Sequence, residues 1–323
     1  MTKPFRFAVQ SFSASSAAEW RDRARQVEDL GYSALHLADH ILGPGPAIAS
    51  TNHPIQELAA VPAIAAAAAA TTTLKVGCRV FCMDYRRPVM FVKEAATLDL
   101  LSDGRLELGL GAGWLQAEYE AIGLDFDPPK VRIDRLEEIL GLLKTLMAPG
   151  EAKVIGQHVH AEGFEGAPQP VQKPHPPILI GGGSMRILSL AAREANIVSF
   201  NFNNRSGILG PDGMKSGTAE ETATKVGWVR DAAGDRFDEL ELEIGAYFTF
   251  ITDDAKSIAG GMGKAMGLDA DEMLAHPHGL IGSVDGIIEE LERRRETYGI
   301  SYVTVGDNMI EPFAPIVAKL AGS

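Results

Sequence analysis

Three groups of residues in this sequence have the types and spacing to do chemistry. The first is Ile178 to Met185, ILIGGGSM, where Gly181, Gly182 and Gly183 end an apolar run and Ser184 opens an amphipathic segment. Glycines at a strand end let the backbone approach a ligand, and the first N–H groups of a helix lack intrahelical acceptors, so the arrangement suits a phosphate. An ordinary tight strand-to-helix turn would read the same way. The second is Gly109, Gly111 and Gly113, a GxGxG loop with no acidic residue closing a following strand at the spacing of a dinucleotide fingerprint. The third is Asp39-His40. An imidazole titrates near neutrality and can give or take a proton, and a carboxylate beside it can tune or orient it. The plainer reading of the pair is a loop cap.

The remaining histidines and the cysteines carry less. His36 falls inside an apolar run and reads as a packed core residue. His158, His160 and His175 cluster in one region and His276 and His278 flank Pro277, neither group with the spacing of metal ligands, so no metal is expected. Cys78 and Cys82, the only cysteines, are four apart on one strand and read as small buried hydrophobes. Two cysteines make no disulfide framework, and the N-terminus lacks a signal-peptide pattern, so a cytoplasmic protein is expected.

These residues must be positioned by a repeated unit: a short apolar run, a turn, then a longer amphipathic segment. The expected strands are Phe5 to Val9, Ser33 to Leu37, Lys75 to Phe81, Leu106 to Leu110, Ile178 to Ile180, Ile197 to Phe202, Ile244 to Phe250 and Tyr302 to Val305. Helices are expected between them, the first capped by Ser15 and ended by Gly31, others over Pro88 to Leu101, Val131 to Met147, Ser184 to Glu194, Thr218 to Asp231 and Val284 to Tyr298. Eight such units predict an α/β fold, a (β/α)8 TIM barrel, with an open doubly wound sheet as the alternative. Val154 to Pro177 reads as a short hairpin plus a Pro-rich approach to the fifth strand, and Asp253 to Gly282 as an extended excursion after the seventh. In a barrel, functional groups collect at the C-terminal strand ends, which is where the three groups fall.

Composition sets the outer limits. The 323 residues are 46% hydrophobic and 23% charged, enough apolar surface for a large core, and no linker divides them, so residues 1–323 are expected to form a single domain. A formal net charge of −13 argues against nucleic acid or an anionic membrane as partner and leaves a small-molecule substrate. The alanine run Ala65 to Ala70 suggests close helix packing, within the chain or in a homodimer.

Taken together, several segments resemble the bacterial luciferase-like superfamily, and within it the oxidoreductases that use the deazaflavin coenzyme F420. They are GYSALHLADH (Gly31 to His40), the stretch from Lys75 to Gly123 with Arg87-Pro88, Ser102-Asp103-Gly104-Arg105, Gly111-Ala112-Gly113-Trp114 and Glu118-Tyr119, and PHPPILIGGG (Pro174 to Gly183). The resemblance implies the barrel with an insertion, and a hydride exchanged between F420 and a small organic substrate. FMN with a monooxygenase activity is the alternative, and cofactor binding without catalysis a second. It implies that His40 is catalytic, with Asp39 beside it and also at the cofactor. It places Gly77, Cys78, Arg79 and Val80 behind the cofactor ring, with a cis Arg79–Val80 bond. Ala112 and Gly113 would lie beside the ring, and Gly181, Gly182, Gly183 and Ser184 at the phosphate. Where relatives carry Thr or Gly this chain has Arg79, whose guanidinium could meet a carboxylate of cofactor or substrate. Where some carry an acidic proton donor it has Trp114, which leaves His40 as the acid, then Glu118. Phe12, Trp114, Phe200 and Phe202 are candidate walls.

Overall fold

A computed structural model describes residues 3–323. Twelve strands are present: β1 Arg6–Ser11, β2 Ala34–Leu37, β3 Lys75–Cys82, β4 Leu106–Gly111, β5 Glu151–Ile155, β6 His160–Glu165, β7 Ile178–Gly182, β8 Ile197–Phe200, β9 Glu241–Gly245, β10 Phe248–Ile251, β11 Gly279–Gly282 and β12 Ile300–Gly306. Eight of them close a parallel barrel in the order β1-β2-β3-β4-β7-β8-β9-β12, the TIM-barrel architecture that the periodicity predicts. Parallel strands covered by helices are buried on both faces, which is why they read as unbroken apolar runs. β2 and β8 are buried at every residue.

Helix boundaries follow local signals. The first helix, Ala17–Asp29, is capped by Ser16, whose side chain accepts from the Glu19 amide; Ser15 instead donates to the Glu19 carboxylate. Thr218, Asp269 and Ser283 cap later helices in the same way. The alanine-rich helix Ala60–Ala70 buries Ala60, Ala63, Ile64, Ala67 and Ala68 within the chain and accepts a bond at the Ala63 carbonyl from the Trp20 indole, 2.9 Å. Its small residues let it lie close to its neighbours.

Two insertions interrupt the barrel. The antiparallel pair β5–β6 is the expected hairpin, its turn held by Glu138, which accepts from the amides of Gln157, His158 and Val159. The other corrects the expected seventh strand. Barrel strand β9 ends at Gly245, and β10 leaves the barrel to pair in parallel with β11. Ile244 to Phe250 is thus two strands of two sheets. Glu241 and Glu243, on the barrel strand, break its apolar pattern, so the run of hydrophobes starts too late.

The interior explains those acids. Barrel interiors are usually filled by branched apolar side chains. Here contacts between strands that are not neighbours cross the barrel, as ion pairs from Arg6 of β1 to Glu107 of β4 and, at 2.6 Å, to Glu241 of β9 and from Arg79 of β3 to Glu243 of β9 at 2.9 Å, and as a hydrogen bond between His36 of β2 and Glu107 at 3.2 Å. An apolar layer of Ala8, Ala34, Leu179, Ile197 and Tyr302 lies within the barrel as well.

Candidate active site

The C-terminal ends of the barrel strands bring together most of the singled-out residues. His40 follows β2. Its Nδ1 lies 2.8 Å from Glu118 Oε2, and Glu118, in the short helix Gln116–Ala121, is completely buried. The other carboxylate oxygen accepts from the Ile41 amide at 2.7 Å, and Tyr85 donates to Oε2 at 2.8 Å. Burial works to raise the Glu118 pKa, but the hydrogen bonds and charge of this surround hold it below the usual carboxylate range. A carboxylate accepts only, so His40 carries a proton on Nδ1, and among the described residues its Nε2 makes no hydrogen bond.

Asp39 is not the partner of His40. Both Asp39 oxygens are taken by the Arg86 guanidinium, and Oδ2 also accepts from the Cys82 amide at 2.9 Å. Adjacent residues in an extended loop point apart, so the neighbour in sequence fixes the loop while a carboxylate 78 positions away orients the imidazole. Glu118 could be found in the sequence only as part of a motif; nothing in its spacing ties it to His40.

His53 was not legible at all. Its ring lies against His40, centroids 3.9 Å apart, and Trp114 packs on both at 5.9 and 5.7 Å, with Phe12 at 6.4 Å from His53. Burial, then the neighbouring His40, lowers the His53 pKa to about 4. Neutral His53 donates from Nδ1 to the Pro54 carbonyl at 2.8 Å. Phe12 and Trp114 are therefore walls of the site, whereas Phe200 is core and Phe202 packs on Tyr247 and His278 to one side.

The strand β3 segment is set as the resemblance implies in its geometry. The Arg79–Val80 bond is cis, and the β3–β4 ladder shifts register between Cys78 and Phe81. Val80 thereby lodges against glycines of its neighbours: a Cβ on Gly111 would stand 2.5 Å from its Cγ2, and Cβ atoms on Gly109 and Gly181 would stand 3.1 and 3.7 Å from its Cγ1. Gly77 abuts the Glu107 backbone. Cys78 and Cys82 are buried free thiols, Cys78 pushed well above its ordinary range by burial and Cys82 to about 12 by the same cause. Arg79 is buried as well, its Nε on Glu243 and its Nη1 on Tyr247 Oη at 2.9 Å.

Ala112 packs on the core, and Gly113, at φ +72°, leaves no room for a side chain beside the Tyr119 hydroxyl. Arg132 Nη1 donates to the Gly113 carbonyl at 2.7 Å, so this loop is held rigidly. On the far side of the mouth, a Cβ on Gly183 would overlap the Asn201 and Phe202 backbone, and one on Gly182 would overlap Ile187. Packing of the turn by itself therefore requires two of the three glycines. The better sign of an anion site is Ser184. It stands in the extended N-cap conformation before the helix Met185–Glu194, yet its hydroxyl makes no capping bond, so no side chain occupies the amides of that first turn. Among the described residues, no group of three or more His, Cys, Asp or Glu could hold a metal ion, and no helix is long and apolar enough to cross a membrane.

Comparison with known proteins places this barrel. Residues 2–208 match the sequence family of luciferase-like monooxygenases. An FMNH(2)-dependent dimethylsulfone monooxygenase of Pseudomonas putida is 30% identical over 121 residues, 38% of this chain and 33% of that protein. The curated relatives are matched over about a third to two thirds of their own lengths. Among solved structures, an F420-dependent secondary alcohol dehydrogenase bound to an F420-acetone adduct superposes with a TM-score of 0.74 at 16% identity, covering 98% of this chain and 99% of that one. A long-chain alkane monooxygenase gives 0.75 at 15%, covering 99% and 92%. With the family match spanning well over half of its length, the chain belongs to the luciferase-like monooxygenase family.

Proposed function

We propose that the chain is an F420-dependent oxidoreductase that moves a hydride between the deazaflavin and a small organic substrate, with His40 as the proton-transfer group. The observation that carries the reading is the His40–Glu118 pair at the barrel mouth. Glu118 fixes the tautomer and orientation of the ring, and its charge would stabilise the imidazolium formed when Nε2 takes a proton. Asp39 and Arg86 hold the loop that carries His40. His53, Trp114 and Phe12 wall the site and exclude water.

The deazaflavin, when bound, supplies a hydride-transferring carbon where a flavin would have a nitrogen. The residues present fit such a group: the side-chain-free amides after Ser184 suit its phosphate, and Val80 on its glycine bed, with Ala112 and Gly113, would back the ring. Gly77, Cys78 and Arg79 shape that strand. A second reading, an FMN-dependent monooxygenase, is favoured by the Pseudomonas putida relative, since the same barrel would serve either cofactor.

Calorimetric titration with F420 and FMN separately decides between them. F420 is expected to bind at least tenfold tighter, about 1.4 kcal/mol, and a preference for FMN would move the protein to the second reading. We also propose that residues 1–323 act as one domain and that two copies pair through the helix Ala60–Ala70, where Ala66 and Ala69 remain exposed. A one-chain mass in sedimentation equilibrium would refute the pairing.

A further inference from the structure

His40 is held on two sides by different segments. Glu118, on the short helix Gln116–Ala121, accepts from its Nδ1 at 2.8 Å, and His53, in the loop after β2, covers its ring with centroids 3.9 Å apart. The hydrogen bond fixes one edge of the imidazole, and the face contact stops the ring from swinging about that edge.

A third segment grips both of these. Residues 203–210 follow β8 and cross the mouth: the Gly207 carbonyl accepts from the Gln116 amide at 3.2 Å, the Leu209 amide donates to the Thr51 carbonyl at 3.4 Å, and Asn52 Nδ2 donates to the Leu209 carbonyl at 3.3 Å. Gln116 opens the helix that carries Glu118. Thr51 and Asn52 lead directly into His53, whose amide donates to Thr51 Oγ1 at 3.1 Å. One strap therefore joins the segment behind the ring's hydrogen bond to the segment behind its stacking partner.

The strap is pinned at its base and lightly held at its tip. At the base, Lys225 Nζ donates to the Asn201 carbonyl at 2.8 Å and the Ser216 carbonyl at 2.6 Å, and Ser216 Oγ accepts from the Asn203 amide at 2.7 Å, so the two ends are drawn together. The three tip bonds lie at or beyond the usual upper limit of about 3.2 Å, and among the described residues no other hydrogen bond ties residues 204–209 to the far side of the mouth. Ile208 is 43% exposed, so it adds little packing. A segment with so few contacts opens well before the barrel does. Two residues decide its closing. Gly207 has φ +77°, and a Cβ there would stand 2.9 Å from Gln116 Cβ, so glycine lets the tip come down. Asn52, at φ +57°, takes a left-handed turn that asparagine tolerates, and the turn sends its own side chain to the strap and His53 to His40.

We infer that residues 203–210 are a lid whose tip, latched on Gln116, Thr51 and Asn52, seats His53 against His40 and holds the Glu118 helix beside it, which makes His53 a positioning residue for proton transfer. Closing covers the ring and fixes it in one movement. This rests on the reading of His40 as the proton-transfer group and adds that the ring is set for it only under a closed mouth.

The test needs neither cofactor nor substrate. Diethyl pyrocarbonate modifies accessible imidazoles, and its rate at each histidine of the full-length protein is read by mass spectrometry, with His160, whose side chain is 61% exposed against 12% for His40, as internal reference. Trypsin cleavage after exposed Arg205 reports opening of the lid independently. In Gly207→Ala, cleavage after Arg205 and modification of His40 are both expected to rise at least tenfold with His160 unchanged. Asn52→Gly keeps the backbone turn and removes only the side-chain bond, so both should rise several-fold. His53→Ala should raise His40 modification at least tenfold, and His53→Phe, which restores a flat ring, should bring it back to within about twofold of the native rate. In protein labelled with 15N-histidine, the His40 Nδ1–H resonance should broaden in Gly207→Ala and His53→Ala and sharpen again in His53→Phe. Should Gly207→Ala fail to fold, Asn52→Gly carries the same reading. A native His40 as reactive as His160, a His40 rate indifferent to an opened lid, a lid unmoved by Gly207→Ala and Asn52→Gly, or a His53→Phe no better than His53→Ala would each overturn the inference. The F420 and FMN titrations judge the oxidoreductase reading separately, so failure of one is distinguishable from failure of the other.

Discussion

The two ends of the barrel use the same residue types for opposite purposes. At the N-terminal end, Arg6, Glu107, Glu241, His36 and Tyr302 form one network in which each charge answers another: Tyr302 donates to Glu107 at 2.8 Å, and Arg6 lies over the Tyr302 ring at 4.3 Å from its centroid. Apart from His36 Nδ1, that network leaves no buried side-chain donor or acceptor unused. The C-terminal end has comparable pairs, His40–Glu118, Arg86–Asp39 and Arg79–Glu243, but groups around this end are held back from internal bonding. His40 keeps Nε2, Arg79 keeps Nη2, and the helix after Ser184 keeps its first amides. A closed network stabilises, and an incomplete one can bind.

Breaking each end in turn tests that contrast. The largest effect is expected at the mouth: His40→Ala should lower turnover by about 10² to 10⁴ while cofactor affinity stays within a few-fold. Parallel losses of binding and turnover would make His40 a structural residue. At the closed end, Arg6→Met removes the principal cation beside buried Glu107 and should cost about 3 kcal/mol of stability in urea titrations, with cofactor affinity unchanged in the folded protein. A loss of affinity there would tie the two ends together.

Acid should separate them on the pH axis. His53 and His276 have pKa values lowered to about 4, in each case first by burial, and His278 lies well below its ordinary value for the same reason. Between about pH 6.5 and 4 the unfolded chain binds protons that the folded one refuses, so stability falls on acidification, by up to about 1.4 kcal/mol per pH unit for each proton. Glu107 is shifted the other way: burial opposes it, but His36, Arg6 and Lys75 hold the carboxylate well below its usual range. Its contribution is complete above the ordinary carboxyl range and is lost only below about pH 4.5. His53→Gln should reduce the slope of the upper window by one proton's share and leave the lower window alone; an unchanged slope between pH 6.5 and 4.5 would refute the assignment. The smallest effect is at Ser184. Ser184→Ala should change stability by less than about 0.5 kcal/mol, against about 1 kcal/mol for Ser283→Ala, and should weaken cofactor binding several-fold; equal stability losses would mean Ser184 caps its helix after all.

Much of the architecture was legible because parallel strands and their helices announce themselves in runs of apolar residues. The helix Val284–Tyr298 and the helix Pro88–Leu101 have the expected limits, set by Ser283 and Gly299 in one case and by Pro88 in the other. β9 was misplaced because Glu241 and Glu243 find their counter-charges on β1 and β3, and a pairing across a barrel leaves no periodic trace. The site divides on the same line. His40 and the Gly181–Ser184 turn were visible as strand-end residues, whereas the partnership with Glu118 and the contact with His53 depend on loops folding over the mouth. Asp39 misled because adjacency along the chain is a poor guide to adjacency in space where the backbone is extended.

The seating of Val80 among Gly109, Gly111 and Gly181 has a further consequence for how such sequences can diverge. One isopropyl group occupies volume that β4 would otherwise fill with a side chain at position 111, so Val80 and Gly111 form a single packing unit. Enlarging Gly111 requires trimming the valine in the same lineage, whereas Gly109 is held to glycine by the Cys78 carbonyl whatever stands at position 80. Positions 80 and 111 should therefore change together across homologous chains or remain fixed together. In a library randomised at positions 80 and 111, the survivors should conserve summed side-chain volume rather than residue identity.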